Sequence, residues 1–363
     1  MDITMAKIPA ALARAAVLHL QGRVEEALAE IEAAIAGGES SAALLAARQQ
    51  ISAQLGSVPK QTALVAEVEA AFVDARFEDA AAHCARMAEM SPEQAEPWFN
   101  LGVAYERCGR AEDAATAYRE AARRDPRSAA ALVNLGALLH KHGELDEAAL
   151  CYQRALKIEP GHKGALYNAA VLAEQQGKAD QAEALYAQCE WEGAWFRLGL
   201  LRFRRGDYHG AIEALTKCIG RRAAWSEAEF NLALARWRAG EPQAAAEGFS
   251  RVVERDPNSL HALRALAAVH MELNLTEQAL ELHARLIESG ERTPELFYNT
   301  GLLLQKSGQI DDAVKLYNEA VSERAGFREA LINLGHAVAA QGDTAGAEKY
   351  WAAASRAGEP LTA

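Results

Sequence analysis

The sequence lacks most of what would make an enzyme or a membrane anchor. No apolar run is long enough to span a bilayer. There is no GxGxxG after a strand, no GxxxxGKS/T, no HExxH and no GxSxG, which removes the common nucleotide, zinc-hydrolase and serine-hydrolase signatures. There are only five cysteines, Cys84, Cys108, Cys151, Cys189 and Cys218. They are odd in number and widely spaced without a CxxC, which argues against a disulfide framework and a zinc site and fits a reducing cytoplasm. At helix-packing positions they are expected to act as small hydrophobes. His140-x-His142 has no cysteine or aspartate set nearby and reads as a solvated pair rather than a metal site. Asp311-Asp312 are ordinary acids of a helix start. No cofactor is expected.

Positive charge is also scarce. Lysine and arginine number 38 against 50 acids, a net charge of −12, which disfavours nucleic acid and anionic membrane as partners. The imbalance is uneven. Residues 1–94 carry 7 basic and 13 acidic residues. Residues 192–225 carry 7 basic residues (Arg197, Arg202, Arg204, Arg205, Lys217, Arg221 and Arg222) and 3 acidic ones, a basic island that an acidic partner would fit. The opening MDITMAKIPAALARAAVLHLQG has Lys7 and Arg14 interrupting its apolar part and no clear small-x-small cleavage site. It reads as a helix rather than a signal peptide.

What the chain has is repetition. Half of its 363 residues are hydrophobic, many of them alanine, and 363 residues exceed what one compact core usually takes. Residues 95–128 and 129–162 are two versions of one 34-residue sentence. In the second, Leu132, Leu135 and Leu139 share one helix face, and Ala148, Tyr152 and Ala155 share the face of a following helix. Gly136 sits where the helices must cross closely. Gly143 separates them and suits the positive φ of a helix end, and Pro160 stops the second helix. In the first, Trp98-x-x-Leu101-Gly102-x-x-Tyr105, then Ala114-x-x-x-Tyr118, then Pro126, resembles the tetratricopeptide repeat (TPR) family in order and spacing. The resemblance implies an all-α fold: a right-handed α-α superhelix of antiparallel helix pairs, in which each pair buries its apolar stripe against its neighbours.

The pattern covers nearly the whole chain. Residues 1–60 read as a degenerate repeat at 8–41, ended by Gly37-Gly38, plus an irregular insert. In that insert an extra helix, Ala42–Leu55, is closed by Gly56 and Pro59. An array at 61–191 has repeats starting at 61, 95, 129 and 163, and one at 192–363 has repeats starting at 192, 226, 260, 294 and 328. The small residue of the first helix recurs as Gly102, Gly136, Ala170, Gly199, Ala233, Ala267, Gly301 and Gly335. Every step is 34 residues except that from Ala170 to Gly199, which is 29, so five residues are missing around Cys189–Glu192. A change of superhelix pitch is expected there. No residues after Thr344–Ala357 form the extra capping helix usual in the family. Trp351 and Tyr350 are therefore expected to be exposed, and self-association through this helix is a further expectation.

In such a solenoid the first helices line the concave side. Their sixth residues are Asn100, Asn134, Asn168, Arg197, Asn231, Ala265, Asn299 and Asn333, six asparagines in eight. Asparagine is a middling helix former, and a column of carboxamides can both donate to and accept from an extended backbone. The column resembles that of the TPR superhelix of O-linked N-acetylglucosamine transferase. The alternative is that these asparagines bridge helices within the fold. One place earlier stand Phe99, Val133, Tyr167, Phe196, Phe230, Arg264, Tyr298 and Ile332. Four or seven residues on stand Phe203 and Trp237, expected to be exposed anchors. The candidate peptide site is thus the six asparagines and Arg197, with Phe99, Tyr167, Phe196, Phe203, Phe230, Trp237 and Tyr298. A lysine–asparagine–arginine clamp for a carboxylate is not formed, since Val133 and Gly193 fill the lysine places.

The expected function is a non-enzymatic cytoplasmic scaffold or adaptor holding an extended peptide or partner segment in a concave groove. One alternative is a substrate-recruiting subunit for a separate enzyme such as a glycosyltransferase. A weaker one is an RNA-binding helical repeat, disfavoured because those repeats are 35 residues long and basic. Nothing in the residues names the partner.

Overall fold

A computed structural model of the chain describes residues 10–37 and 42–357, with the side chains of 56–61 set aside. The opening residues 1–9 and the terminal Gly358–Ala363 lie outside this range, as does Gly38 of the expected Gly37-Gly38 stop. Among the described residues all regular structure is helical. The first four helices are α1 (Ala10–Leu20), α2 (Val24–Ala36), α3 (Ala42–Val73) and α4 (Phe77–Met90). First helices of the later pairs are α5 (Ala95–Arg107), α7 (Ala129–Lys141), α9 (Lys163–Gln175), α11 (Glu192–Arg204), α13 (Ser226–Arg238), α15 (Leu260–Glu272), α17 (Pro294–Lys306) and α19 (Arg328–Ala340). Their second helices are α6 (Ala111–Arg124), α8 (Leu145–Ile158), α10 (Ala179–Gln188), α12 (Tyr208–Arg221), α14 (Pro242–Arg255), α16 (Thr276–Glu288), α18 (Ile310–Glu323) and α20 (Thr344–Ala357). From α5 on, each first helix begins at a residue named as a repeat start, whereas residue 61, also named as one, lies inside α3.

The chain forms two compact units, Met1–Leu172 and Ala173–Ala363, whose division falls inside α9. In each, helix pairs joined by turns of three residues stack one after another. The pair α7/α8 shows why. Ser128 caps α7, its side chain accepting from the Ala131 amide at 3.3 Å. Leu132, Leu135 and Leu139 are buried on α7, and Ala148, Tyr152 and Ala155 on α8. Gly143 sits at φ +84°, with its amide bonded to the His140 carbonyl and the Glu144 amide to the Leu139 carbonyl. That is a Schellman stop, and the same pair of bonds recurs at Ala75 and Asn274, where side chains other than glycine hold φ of 55° and 59°.

The structure corrects one reading. Gly56 and Pro59 do not close a helix: α3 runs unbroken from Ala42 to Val73. A proline inside a helix costs about 3 kcal/mol. Here both ends of the helix are anchored. Leu44 and Ile51 are buried with Ala11, Ala15, Ala27 and Ile31, while Leu64, Val68 and Ala71 are buried with α4 and Leu101. The expected insert 42–60 is therefore mostly the first half of a double-length first helix.

The 29-residue step has a plain origin. Helix α10 has 10 residues where α8 and α12 have 14. The turn after it, 189–191, is one residue shorter than 159–162. The basic island braces this shortened pair. Arg202 bonds Glu183 at 2.8 Å, Arg205 reaches Asp180 at 2.8 Å and Glu183 at 3.0 Å, and Arg204 bonds Glu174. Lys217 pairs with Glu213, and Arg221 and Arg222 lie over the rings of Trp195 and Trp225. Much of the charge expected to face an acidic partner is thus spent inside the fold. Burial pushes the Glu174 carboxyl up, but Arg204, Arg197 and the Tyr186 hydroxyl together hold it below the usual carboxylate range.

Candidate functional site

In the unit from Ala173 onward, α11 lies against α13, α13 against α15 and α17 against α19, so first helices form a shared layer. The sixth-position side chains sit on that layer, all half-buried. They divide into two kinds. Asn134 donates to the Tyr118 hydroxyl at 3.4 Å, Asn231 to the Glu227 carbonyl of its own helix at 2.8 Å, and Asn333 to the Tyr298 hydroxyl at 3.0 Å. These serve the fold. Asn100, Asn168 and Asn299 make no side-chain hydrogen bond among the described residues, leaving half-buried carboxamides open to an incoming group. Arg197 lies 3.6 Å from Glu174 and is tied into the brace.

The Asn134 contact belongs to a wider system. Tyr118, buried on α6, donates to Glu106 at 2.9 Å, and burial, with Glu106 beside it, pushes its hydroxyl pKa up. Tyr186 bonds Glu174 at 3.1 Å and Tyr317 bonds Gln305 at 2.7 Å in the same relation. The 16-residue spacing from Tyr118 to the asparagine of the next first helix was visible in the sequence, whereas Tyr186 is followed by Arg197.

The aromatic residues of the candidate site are largely a second layer of the core. Phe99 lies 5.9 Å from the Tyr118 ring, Phe230 5.2 Å from Phe249, and Tyr298 6.0 Å from Tyr317. Phe196 is 8% exposed and stacked on Trp225, so it offers a ligand almost no surface. Phe203 and Trp237 are not exposed anchors. Phe203 packs on Tyr208, and Trp237 packs edge-on to Phe249 with its indole donating to Glu272 at 2.6 Å. The reason is geometric: a residue at i+4 or i+7 on a first helix faces the groove and the neighbouring second helix together. Tyr167 is half-buried. At the last pair Trp351 also differs from expectation. It is partly buried over Gly335, and its indole donates to the Ile332 carbonyl at 3.3 Å.

Three polar features were missed. Glu229, 4% exposed, is held by Arg251 and Arg255. His283, also 4% exposed, bonds Thr300 at 3.0 Å through Nδ1, and burial pushes its imidazole down to about 4. Arg264 takes the place of the aromatic one position before Ala265 and bonds both oxygens of Glu291, at 2.7 and 2.9 Å. Among the described residues no three potential metal ligands gather, and no helix is long and apolar enough to cross a membrane. Burial pushes the Cys84 thiol up to about 12 and Cys218 to about 11, while Cys108 alone is partly exposed.

The tetratricopeptide repeat family matches over residues 65–123, 108–162, 141–189, 230–294 and 298–360, and again over 192–224. Among solved structures, one of MamA is 25% identical, spanning 44% of this chain and 94% of its own, with a TM-score of 0.43. A tetratricopeptide repeat protein of Parabacteroides merdae is 17% identical over 72% of this chain and 98% of its own, at 0.42. MamA of Desulfovibrio magneticus is 22% identical over 46% and 96%, at 0.40. No curated protein matches the chain.

Proposed function

The chain belongs to the tetratricopeptide repeat family, and on that premise we propose that it is a non-catalytic scaffold whose first helices hold an extended segment of a partner protein. The observation that carries this reading is the set of half-buried carboxamides at Asn100, Asn168 and Asn299, which the fold leaves without partners. These amides are half-buried and reach solvent, and a peptide backbone can replace that water with both a donor and an acceptor. Within the unit Met1–Leu172, Asn134 bonds within the fold between Asn100 and Asn168, and within the other unit Asn231 and Asn333 do so on either side of Asn299, so each groove is pre-formed by some asparagines and left to a ligand by others.

The anchor role moves with the geometry. Since Phe99, Phe196, Phe203, Phe230, Trp237 and Tyr298 are committed to packing, backbone recognition carries more of the binding than aromatic pockets do. Such recognition tolerates many sequences, which suits an adaptor in complex assembly. The likeness to the superhelix of O-linked N-acetylglucosamine transferase rests on the asparagine column alone. The acidic charge and the internal pairing of residues 197–222 favour protein over nucleic acid.

The test is selection of binders from a random peptide library displayed on phage, followed by calorimetry against the whole protein. Binders competing with one another and weakened by Asn100→Ala, Asn168→Ala or Asn299→Ala support the reading. Binders insensitive to all three overturn it.

A further inference from the structure

We propose that a pocket among α15, α16 and α17 receives a tyrosine side chain, with the phenol hydroxyl donated to Nε2 of His283. The pocket has a volume of about 190 Å³ and is lined by apolar Ala267, Ala268, Met271, Leu286 and Leu296 and by polar His283, Asn299, Thr293, Arg264, Glu291 and Glu295. The natural occupant rests on the reading of the first helices as a peptide groove; the pocket and its chemistry do not.

The pocket exists because this step of the stack departs from the others. The second-helix position filled by Phe249 in α14 and Tyr317 in α18 holds the smaller His283 in α16. The first-helix position filled by Leu266 and Leu334 holds Thr300 in α17. The turn 289–293 has one residue more than the turn 256–259. The two substituted residues answer each other. The Thr300 hydroxyl donates to the Leu296 carbonyl at 2.6 Å, so its oxygen accepts from His283, whose ring nitrogen Nδ1 lies 3.0 Å away. That fixes the proton on Nδ1 and leaves Nε2 as a lone pair. No side chain among the described residues takes it. Burial keeps the ring neutral, so an uncharged acceptor lines a pocket whose charged lining, Arg264, Glu291 and Glu295, is held in ion pairs.

Such a site asks for a neutral donor on an apolar body. Charges nearby are already paired, Arg264 with Glu291 and Glu295 with Arg324, so a lysine or a carboxylate gains nothing there. A cavity of about 150 Å³ takes up benzene, so the present one has room for a cresol ring. Met271 offers a thioether, which favours aromatic contact. Asn299 stands beside the pocket with its carboxamide free for the flanking backbone.

The experiment titrates the full chain with p-cresol, toluene and 3-methylindole, followed by NMR of the Met271 methyl and the His283 ring nitrogens. The expected result is that p-cresol shifts both signals and binds about fivefold tighter than toluene, the worth of one net hydrogen bond. His283→Leu, close to histidine in size and without a ring acceptor, should remove that preference. Ala268→Leu, which fills the pocket and keeps His283, should abolish both ligands. Toluene or 3-methylindole binding tighter than p-cresol, no shift at Met271, or a preference that survives either variant would each overturn the proposal. The library-derived peptides and their asparagine variants report on the groove separately, so a failed pocket leaves that reading standing and a failed groove leaves the pocket.

Discussion

The ring of Tyr118 lies flat against Gly102, so close that a Cβ on Gly102 would stand 2.6 Å from two of its carbons. The same relation joins Gly136 to Tyr152 and Gly301 to Tyr317, each at 2.7 Å. Two of the three first helices that carry alanine instead meet a second helix that gives way; the third, at Ala170, keeps Tyr186 on the shortened α10. Ala233 faces Gly248 beside Phe249, and Ala267 is paired with the smaller His283. Gly102→Ala should therefore destabilise its repeat by about 1–3 kcal/mol through overpacking, although alanine is the better helix former by about 1 kcal/mol. Hydrogen exchange of α5 and α6 measures it, and unchanged protection there would contradict the packing described.

A buried charge makes the second prediction. Glu229 occupies a column that is otherwise Trp98, Leu132, Leu166, Trp195, Leu263, Phe297 and Leu331. Removing both Arg251 and Arg255 would strand it, at a cost of about 3–5 kcal/mol. Glu229→Leu restores the column and leaves two arginines that reach water, so it should be neutral or stabilising. Denaturation midpoints of the two variants should move in opposite directions or differ by most of that amount.

The third concerns acid. His283 titrates near 6.5 when unfolded and about 4 when folded. Its contribution is whole above pH 6.5 and falls as pH drops toward 4, by about 3 kcal/mol, because the unfolded chain takes the proton first. Carboxylates held low, such as Glu174, give way only at lower pH, below their unfolded value of 4.5. His270 is also pushed down by burial, so the comparison must be with His283→Phe. Thermal unfolding of the parent should lose more than the variant between pH 6.5 and 5. Parallel curves would show that His283 titrates normally.

The fourth follows from the short helix. With 10 residues, α10 has the least of its own to bury, and Arg202 and Arg205 hold it through Glu183. Arg202→Ala should speed exchange in α10 before α12 or α14, and salt should do the same more weakly since these pairs are partly screened.

Most of the fold was legible because a solenoid repeats its own evidence. Gly102, Ala114 and their successors fix the register of the pairs from α5 on, and the starts of those first helices followed from it, while the start read at 61 lies inside α3. The break at Gly56 and Pro59 was misread because local propensity was weighed without the burial at Leu44 and Val68 that overrides it. The candidate site was less legible. Phe203 and Trp237 share their helix face with core positions, and a spacing cannot say which of two neighbours a ring chooses. Glu229, His283 and Thr300 were readable as departures from a column, but their partners lie on other helices. Arg251, with Glu229, and Thr300, with His283, become meaningful only when the columns are brought together.

The central claim is that the unpartnered asparagines exist for a ligand. Asn100 and Asn168, both in the unit Met1–Leu172, replaced together by alanine remove no hydrogen bond from the fold and add helix propensity. The double variant should melt at or above the parent's temperature. Calorimetry with a library-selected peptide that binds this unit should find its affinity reduced about thirtyfold, at about 1 kcal/mol for each of two hydrogen bonds. A double variant that is equally stable and binds the same peptide with undiminished affinity would contradict the account.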